Sequence, residues 1–318
     1  MTATGGAPAI AQSAPQGSSI VTRRATAKGF EYLLLHRAVT ATAHEAWAPP
    51  SGARQPGEAV LAAAHRQLSH HTGFTDIDVH PVDLGRTQAL WMTGDIGTRG
   101  LHRTDGNGGP VWVGPHECAR LCQPATAAEV ATVDAVPAVT MDFRPMTADD
   151  FELLSQWSHR RHLTPAWFHR ALTPQAAANR YRACLDPQHP VNVHIVTING
   201  SDAGIAQFAP VAELPEHVAA VGLPDHVAVG FAIAERRRIG QGLGPQLIWS
   251  IIRRLVLPQY PQSGGVVAFT ALGNRASARA LHKSGFTTDG VIELGGRRRI
   301  LHRFNPGHWL GHERTRMT

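Results

Sequence analysis

The sequence is short of cysteine and of long apolar runs, and each shortage closes off a class of protein. Three cysteines in 318 residues, Cys118, Cys122 and Cys184, cannot form a paired disulfide framework, which points to a reducing, cytoplasmic setting. No second ligand pair at zinc-finger spacing follows His116, Cys118 and Cys122, so the thiols read as structural and no metal is expected. No apolar stretch approaches the roughly 18 to 20 residues of a membrane span. The first 18 residues, mostly Ala, Gly, Ser, Pro and Gln, lack the basic start and apolar centre of a secretory signal. They are expected to be a disordered tail.

What is present is a globular composition, 43% hydrophobic and 17% charged, with a net charge of +6. The basic excess is local, at Arg236 to Arg238, at Arg253 and Arg254, and at Arg297 to Arg299. Such clusters attract nucleic acid, the phosphates of a coenzyme or an acidic carrier protein by the same Coulombic field, so charge alone does not choose among them. The length suits two domains. Pro124 to Thr140 turns to Ala, Val, Thr and Pro and reads as a linker, giving a domain over 19–124, a linker over 125–140, a second domain over 141–306 and a tail over 307–318.

Before the linker, Phe30 to Leu35 reads as a buried strand, Glu58 to Thr72 as a helix and Thr87 to Thr93 as another strand. After it a fresh strand begins at Met141, and Thr147 opens a helix to about Trp157 with acidic residues in its first turn. A helix over Pro174 to Leu185 follows, then strands over Val191 to Ile198 and Gly204 to Phe208 beside the Asn199-Gly200 turn signal. Strand Val227 to Ala234, helix Pro245 to Leu255, strand Val266 to Thr270, helix Arg275 to Lys283 and a hairpin turning at Gly295-Gly296 complete the chain. The pattern is α/β (α+β).

The most informative segment is Arg237-Arg238-Ile239-Gly240-Gln241-Gly242-Leu243-Gly244. Three glycines strip side chains from a turn between a strand and a helix, so backbone N–H groups and the positive helix end can face an anion. Glycine can equally serve close packing of helix on strand, and both readings stay open on spacing alone. The spacing is not that of a dinucleotide-binding turn, which needs Gly-x-Gly-x-x-Gly, nor of a phosphate-binding loop ending in Lys-Ser/Thr.

The segment resembles the first donor motif of the GNAT family of N-acetyltransferases, Gln/Arg-x-x-Gly-x-Gly/Ala, through Arg237, Gly240 and Gly242. About thirty residues on, a helix led by Asn274 and ending in Gly285-Phe286 resembles that family's second donor motif. The resemblance covers roughly residues 141–304. It implies a GNAT fold with a mixed central sheet, and acetyl-CoA or another acyl-CoA as donor, with the phosphopantetheine of a carrier protein as the alternative. Phe231, Ile233, Arg237, Arg238, Ile239, Gly240, Gln241, Gly242, Leu243, Gly244 and Asn274 would hold the donor. Within the family, Phe143 to Thr147, Trp157, His162, Leu163 and Trp167 look nearest to the branch of aminoglycoside, siderophore and ribosomal-protein acetyltransferases. That places His159, His162, Trp167 and His169 beside the acceptor, although tryptophan at helical spacing also reads as core.

Two departures touch the chemistry. Relatives that use a tyrosine acid place it five residues before the Phe of Gly-Phe, where this chain has Leu281, and His282 is rotated by about 100° from that direction. The strand that often carries an acidic base reads Val229-Gly230-Phe231, leaving Asp225 and Glu235 as flanking substitutes. His282, Glu235, Asp225 and His162 are therefore the candidates for proton transfer. A histidine base would make activity rise with pH through about 6 to 7.

In the first half, Gly52, Glu58, Arg66, Leu68, Gly73 and Phe74 keep the spacing of the Nudix box, which the chain resembles there. Gln67, His70 and His71 replace the three carboxylates that would hold magnesium. Neutral amide and imidazole do not offset the dehydration of that ion, so the resemblance implies a Nudix-like α/β/α sandwich without hydrolase activity. The expected acceptor is a primary amine on a small polar metabolite, such as an antibiotic or a natural-product intermediate. An acyl carrier protein and a second copy of the chain are further partners, nucleic acid is disfavoured, and a ligand sensor without catalysis is the reading from another class.

Overall fold

The computed structural model describes residues 14–37, 46–99 and 109–311. The N-terminal half opens with the hairpin β1 (Gly17–Thr26) and β2 (Gly29–Arg37), then the short strands β3 (Ala46–Ala48) and β4 (Ser51–Ala53). Helix α1 (Val60–Thr72) leads to β5 (Val79–Asp83), β6 (Gln88–Asp95) and β7 (Val111–Val113), followed by α2 (Pro115–Leu121) and α3 (Pro124–Asp134). The strands make one mixed sheet, β3-β2-β1-β6-β5, in which β1 and β6 run parallel while β4 joins β1 and β7 joins β2.

Helices cover both faces of this sheet. The side chain of Gln67 in α1 presses on Gly52 of β4, and its amide donates to the Ala53 carbonyl at 3.2 Å. On the other face the Tyr32 hydroxyl donates to Asp134 and the Ser19 hydroxyl donates to Glu129 at 2.8 Å, both carboxylates belonging to α3. Cys118 and Cys122 are buried, and burial pushes their thiols up to about 12 and about 11, so they act as apolar packing groups.

The C-terminal half runs β8 (Met141–Pro145), α4 (Asp150–Ser158), α5 (Pro174–Tyr181), β9 (Asn192–Ile198), β10 (Ser201–Pro210), α6 (Pro215–Val221) and β11 (His226–Ile233). It continues with α7 (Leu243–Ile251), α8 (Leu257–Gln259), β12 (Gly265–Ala271), α9 (Arg275–Lys283), β13 (Thr287–Leu294), β14 (Arg297–Phe304) and α10 (Pro306–Leu310). Its sheet has the order β13-β14-β12-β11-β10-β9-β8, antiparallel except for the parallel neighbours β11 and β12. Among the described residues, no helix is long and apolar enough to cross a membrane.

Several expectations need correction. The stretch expected to be a bare linker is largely α3, whose Val130 and Val133 are buried together with Val136 just beyond it, because an Ala/Val-rich segment with Pro124 at its first turn makes a serviceable helix once an apolar surface is offered. The expected N-terminal tail overlaps β1, in which Ser18 is fully buried, while residues 1–13 lie outside the described residues. The expected C-terminal tail begins inside α10, where Trp309 and Leu310 are buried; residues 312–318 lie outside the described residues. Helix α4 spans Asp150–Ser158, and Thr147 opens the turn that leads into it: the Asp150 carboxylate accepts the Thr147 N–H at 2.8 Å and the Asp150 N–H donates to the Thr147 carbonyl at 3.2 Å.

The two halves share one continuous apolar core that runs from Ile20, Leu61 and Trp91 to Leu247, Trp249 and Phe304. Trp91 meets Trp249 edge to face with ring centres 5.3 Å apart, and the Leu84 N–H donates to the Lys283 carbonyl at 2.8 Å. Trp91 is fully buried, so Trp91→Ala should cost about 3–5 kcal/mol in urea unfolding. Because the core is shared, the variant should still show a single transition; a second, unshifted transition would mean that the C-terminal half folds independently.

A second prediction concerns pH. His302 in β14 is buried, bonded to the Thr270 hydroxyl at 2.9 Å, and burial pushes its imidazole from 6.5 down to about 4. Between those values the unfolded chain binds a proton that the folded chain does not, so this contribution to stability is complete above pH 6.5 and falls away as the pH drops towards 4. His302→Gln should flatten that slope in urea melts at pH 7 and pH 5; identical slopes would count against it.

Candidate donor and acceptor site

The site begins where the C-terminal sheet comes apart. Strand β11 pairs with β12 only from His226/Gly265 to Val229/Ala268. Beyond that point β11 stays paired with β10 as far as Ile233, and β12 stays paired with β14 as far as Ala271. Gly230 to Ile233 and Phe269 to Ala271 are thus the two lips of an opening within the sheet.

Hydrogen-bond parity sets which groups face that opening. The Ala234 N–H donates to the Ala203 carbonyl at 2.7 Å, and antiparallel pairing alternates along a strand. Ala232 therefore spends its backbone groups on β10, whereas Phe231 and Ile233 turn theirs towards the opening. The carbonyl of Ile233 is taken by Nε2 of His162 at 3.2 Å, and that of Ala234 by the Arg160 guanidinium at 2.7 Å.

A cleft of about 520 Å³ runs from this opening to the start of α7. Phe231, Ala232 and Ile233 line one wall, Arg238, Ile239, Gly240, Gly242, Leu243, Gly244 and Pro245 the turn, and Asn274, Ser277, Arg279, Ala280 and Lys283 of α9 the other wall. His162, Leu163 and Ala166 close the far end. Among the described residues, no acceptor is found for the N–H groups from Gly240 to Gly244, and no side chain caps α7. A row of free donors at the positive end of a helix is what an anion requires.

The three glycines do different work. Gly240 and Gly242 adopt left-handed angles, φ 82° and 76°, which only glycine takes without strain. A methyl group at Gly240 would meet nothing within 4 Å, whereas at Gly242 it would lie 2.8 Å from Val136, beyond α3. Gly244 lets α7 approach α9, since a Cβ there would stand 2.9 Å from the Ala280 methyl. Both sequence readings therefore apply, close packing at Gly244 and an opened backbone at Gly240. Pro245 sits at the third helical position rather than the first, still in the turn whose N–H groups have no intrahelical acceptor.

The other candidates divide. Asn274 lines the cleft and caps α9, its side-chain oxygen accepting from the Ser277 N–H at 3.2 Å. Arg237 and Gln241 do not line it, and the Arg237 side chain is 75% exposed. Glu235 is ion-paired to both Arg237 and Arg238, and the Arg237 guanidinium, with Arg238 beside it, holds its carboxyl below the usual range. A carboxylate so stabilised is a poor proton acceptor. Asp225 is exposed, bonded to His226 at 2.8 Å, and lies before β11, about 25 Å from Ile233 at strand rise. His282 packs against Gly85 of the N-terminal half, and Leu281 is fully buried in the core.

On the acceptor side, Trp167 lies over Gly230, where a Cβ would come 3.1 Å from its ring, and its indole N–H donates to the Tyr181 hydroxyl at 3.0 Å. That contact fills the place in which an acidic side chain on β11 would stand. His159 is bonded to the Ser155 carbonyl and does not line the cleft. His169 takes a left-handed φ of 68°. Burial, with Arg297 and Arg299 adding to it, holds its imidazole below the usual range. Arg279, Ala280 and Lys283 were missed in the sequence, although Ala276, Arg279 or Ala280, and Lys283 follow one another at intervals of three to four and mark one face of α9.

Residues 146–294 match the family described as acetyltransferase (GNAT) domain. No curated protein matches the chain. Among solved structures, an aminoglycoside acetyltransferase, AAC(6')-Ib, in complex with coenzyme A is 21% identical over 56% of this chain and 99% of that one, with a TM-score of 0.47. An uncharacterised Bacillus halodurans protein is also 21% identical, over 56% and 89%, at 0.49. An aminoglycoside N(6')-acetyltransferase from Legionella pneumophila is 16% identical over 56% and 96%, at 0.40.

Substitutions in the turn should separate its parts. Gly242→Ala strains φ and strikes Val136, so CoA affinity measured by calorimetry should fall at least tenfold, whereas Gly244→Ala should chiefly lower the melting temperature. Equal CoA affinity in the wild type and Gly242→Ala would contradict the assignment.

Proposed function

We propose that the protein, whose residues 146–294 match the acetyltransferase (GNAT) domain family, transfers an acyl group, most simply acetyl, from acyl-CoA to a primary amine of a small polar metabolite. The observation that carries this reading is the opening between β11 and β12, with free N–H groups at both its ends. The donor's pyrophosphate would rest on the N–H groups of Gly240 to Gly244, with Arg238 and Lys283 adding charge from either wall. The pantetheine arm would run between the lips as an extra strand, exchanging hydrogen bonds with the outward backbone of Phe231 and Ile233 and passing Asn274.

The amine nitrogen attacks the thioester carbon, and an outward N–H of β11 receives the negative charge that develops on oxygen. The C–S bond then breaks and the electrons leave on sulfur. A thiol of pKa about 8.5 is an acceptable leaving group near neutrality, so the absence of an acid at Leu281 is tolerable. The proton lost by the amine goes to water or to His162. With its Nε2–H donating to the Ile233 carbonyl, His162 keeps Nδ1 as the acceptor. Glu235 and Asp225 have no part in this scheme.

We assign the N-terminal half a structural role. Glu58, which is kept, is held by Arg66 at 2.7 Å, Gln67 is buried against β4 and His71 is bonded to the Ser51 carbonyl at 3.2 Å, so two of the three residues that depart from the box are used in seating α1, while His70 is exposed.

Free-thiol release from acetyl-CoA over a panel of amines tests the reading, with release for at least one amine expected and binding without turnover contradicting it. His162→Gln keeps a donor for the Ile233 carbonyl and removes a base. If His162 moves the proton, kcat should fall at least tenfold in both His162→Gln and His162→Ala; rescue by Gln would reduce it to a positioning residue.

A further inference from the structure

The two faces of the C-terminal sheet differ in charge around the opening. Val227, Val229, Phe231 and Ile233 pack with α7 on one face, the side from which the donor nucleotide enters. Ala228 and Gly230 belong to the other. The register carries that second face across the sheet, from Ala228 to Val267 and from Ala271 to Arg299, and strand alternation adds Arg297 two residues earlier. Arg297 and Arg299 therefore stand on the Gly230 face, at the end of β14 beside the β12 lip.

From the other lip, the segment after α4 lays Trp167 over Gly230 and brings His169 within the field of both arginines. Arg180 ties that segment down, donating to the carbonyls of Phe168 at 3.1 Å and Trp167 at 3.2 Å. Neither Arg297 nor Arg299 has a carboxylate partner among the described residues, whereas Arg303 on the same strand is paired with Asp289. The carboxylate at the hairpin turn, Glu216 of α6, faces Gly295, where an added Cβ would lie 3.5 Å from it. Three arginines and a histidine thus border the side from which an amine must reach the thioester. Such a field repels a polycation and draws in an anion.

Resting on the acyl-transfer reading above, we propose that the acceptor is an amine that also carries a carboxylate or phosphate, held by Arg297 and Arg299, and that polycationic amines are excluded. The anion fixes the acceptor at the β14 end, and the amine reaches across the opening to the thioester. Guanidinium forks suit either oxyanion.

The test uses the full chain and matched acceptors. Acetyl-CoA consumption is followed with 6-aminohexanoate against its amide, with phosphoethanolamine against ethanolamine, and with kanamycin. Each anionic amine that serves as substrate should exceed its neutral partner at least tenfold in kcat/KM, and the two pairs distinguish carboxylate from phosphate. Arg297→Ala and Arg299→Ala, both at solvent-reaching positions, should bring that ratio towards one. Kanamycin or the neutral amines turning over equally well or better, or a ratio unmoved by both variants, would overturn the proposal.

Calorimetry with CoA alone reports separately on the donor reading. If no amine is consumed, inorganic phosphate and acetate are titrated into the protein while the indole NMR signal of Trp167, identified with Trp167→Phe, is followed. A saturable shift that is lost in Arg297→Ala and Arg299→Ala supports the anion site, and its absence in the wild type overturns it whether or not CoA binds.

Discussion

The C-terminal half depends on four residues of pairing that stop. Strands β11 and β12 are hydrogen-bonded from His226 to Val229, and each then continues with only its other neighbour. Backbone donors left without a strand partner inside a sheet need another partner. A pantetheine arm, an extended chain with its own amides, is a ligand of the right shape. The N–H groups at the start of α7 that lack an acceptor among the described residues extend the same condition to the phosphates, so on the proposed function one broken ladder and one uncapped helix would define the donor path.

The opening is held from both sides. His162 and Arg160 clasp the carbonyls at the end of β11, and Trp167, tied to Tyr181, covers Gly230. Below the turn, Val136 stands against Gly242, and the Leu84 N–H reaches the last residue of α9. The N-terminal half therefore touches the turn and the α9 wall of the cleft through packing. In a close-packed core such contacts resist displacement, which gives a physical reason for the N-terminal half to stay attached to the half that carries the cleft.

Much of this was legible in the residues. Gly240 and Gly242 announced a turn that only glycine can take, and Asn274 announced the cap of α9, because both signals are local and depend on backbone conformation. The proton-transfer candidates fared differently. Asp225 and Glu235 flank the right strand, but what excludes them is three-dimensional: the distance along β11 for one, and the two guanidinium partners for the other. His282 required knowing that Gly85 lies beside α9. The expected linker read as loop because Ala and Val carry no periodic signal until a surface is supplied. The charge of the acceptor side was present in the run Arg297 to Arg299 but had no meaning until the register placed alternate members on one face.

The most direct test of the account is amide-resolved hydrogen exchange of the full chain with and without CoA. Added protection is expected at Phe231 and Ile233 and from Gly240 to Gly244, with Ala232, already bonded to β10, unchanged. Protection confined to other segments, or none at these amides under saturating CoA, would contradict it.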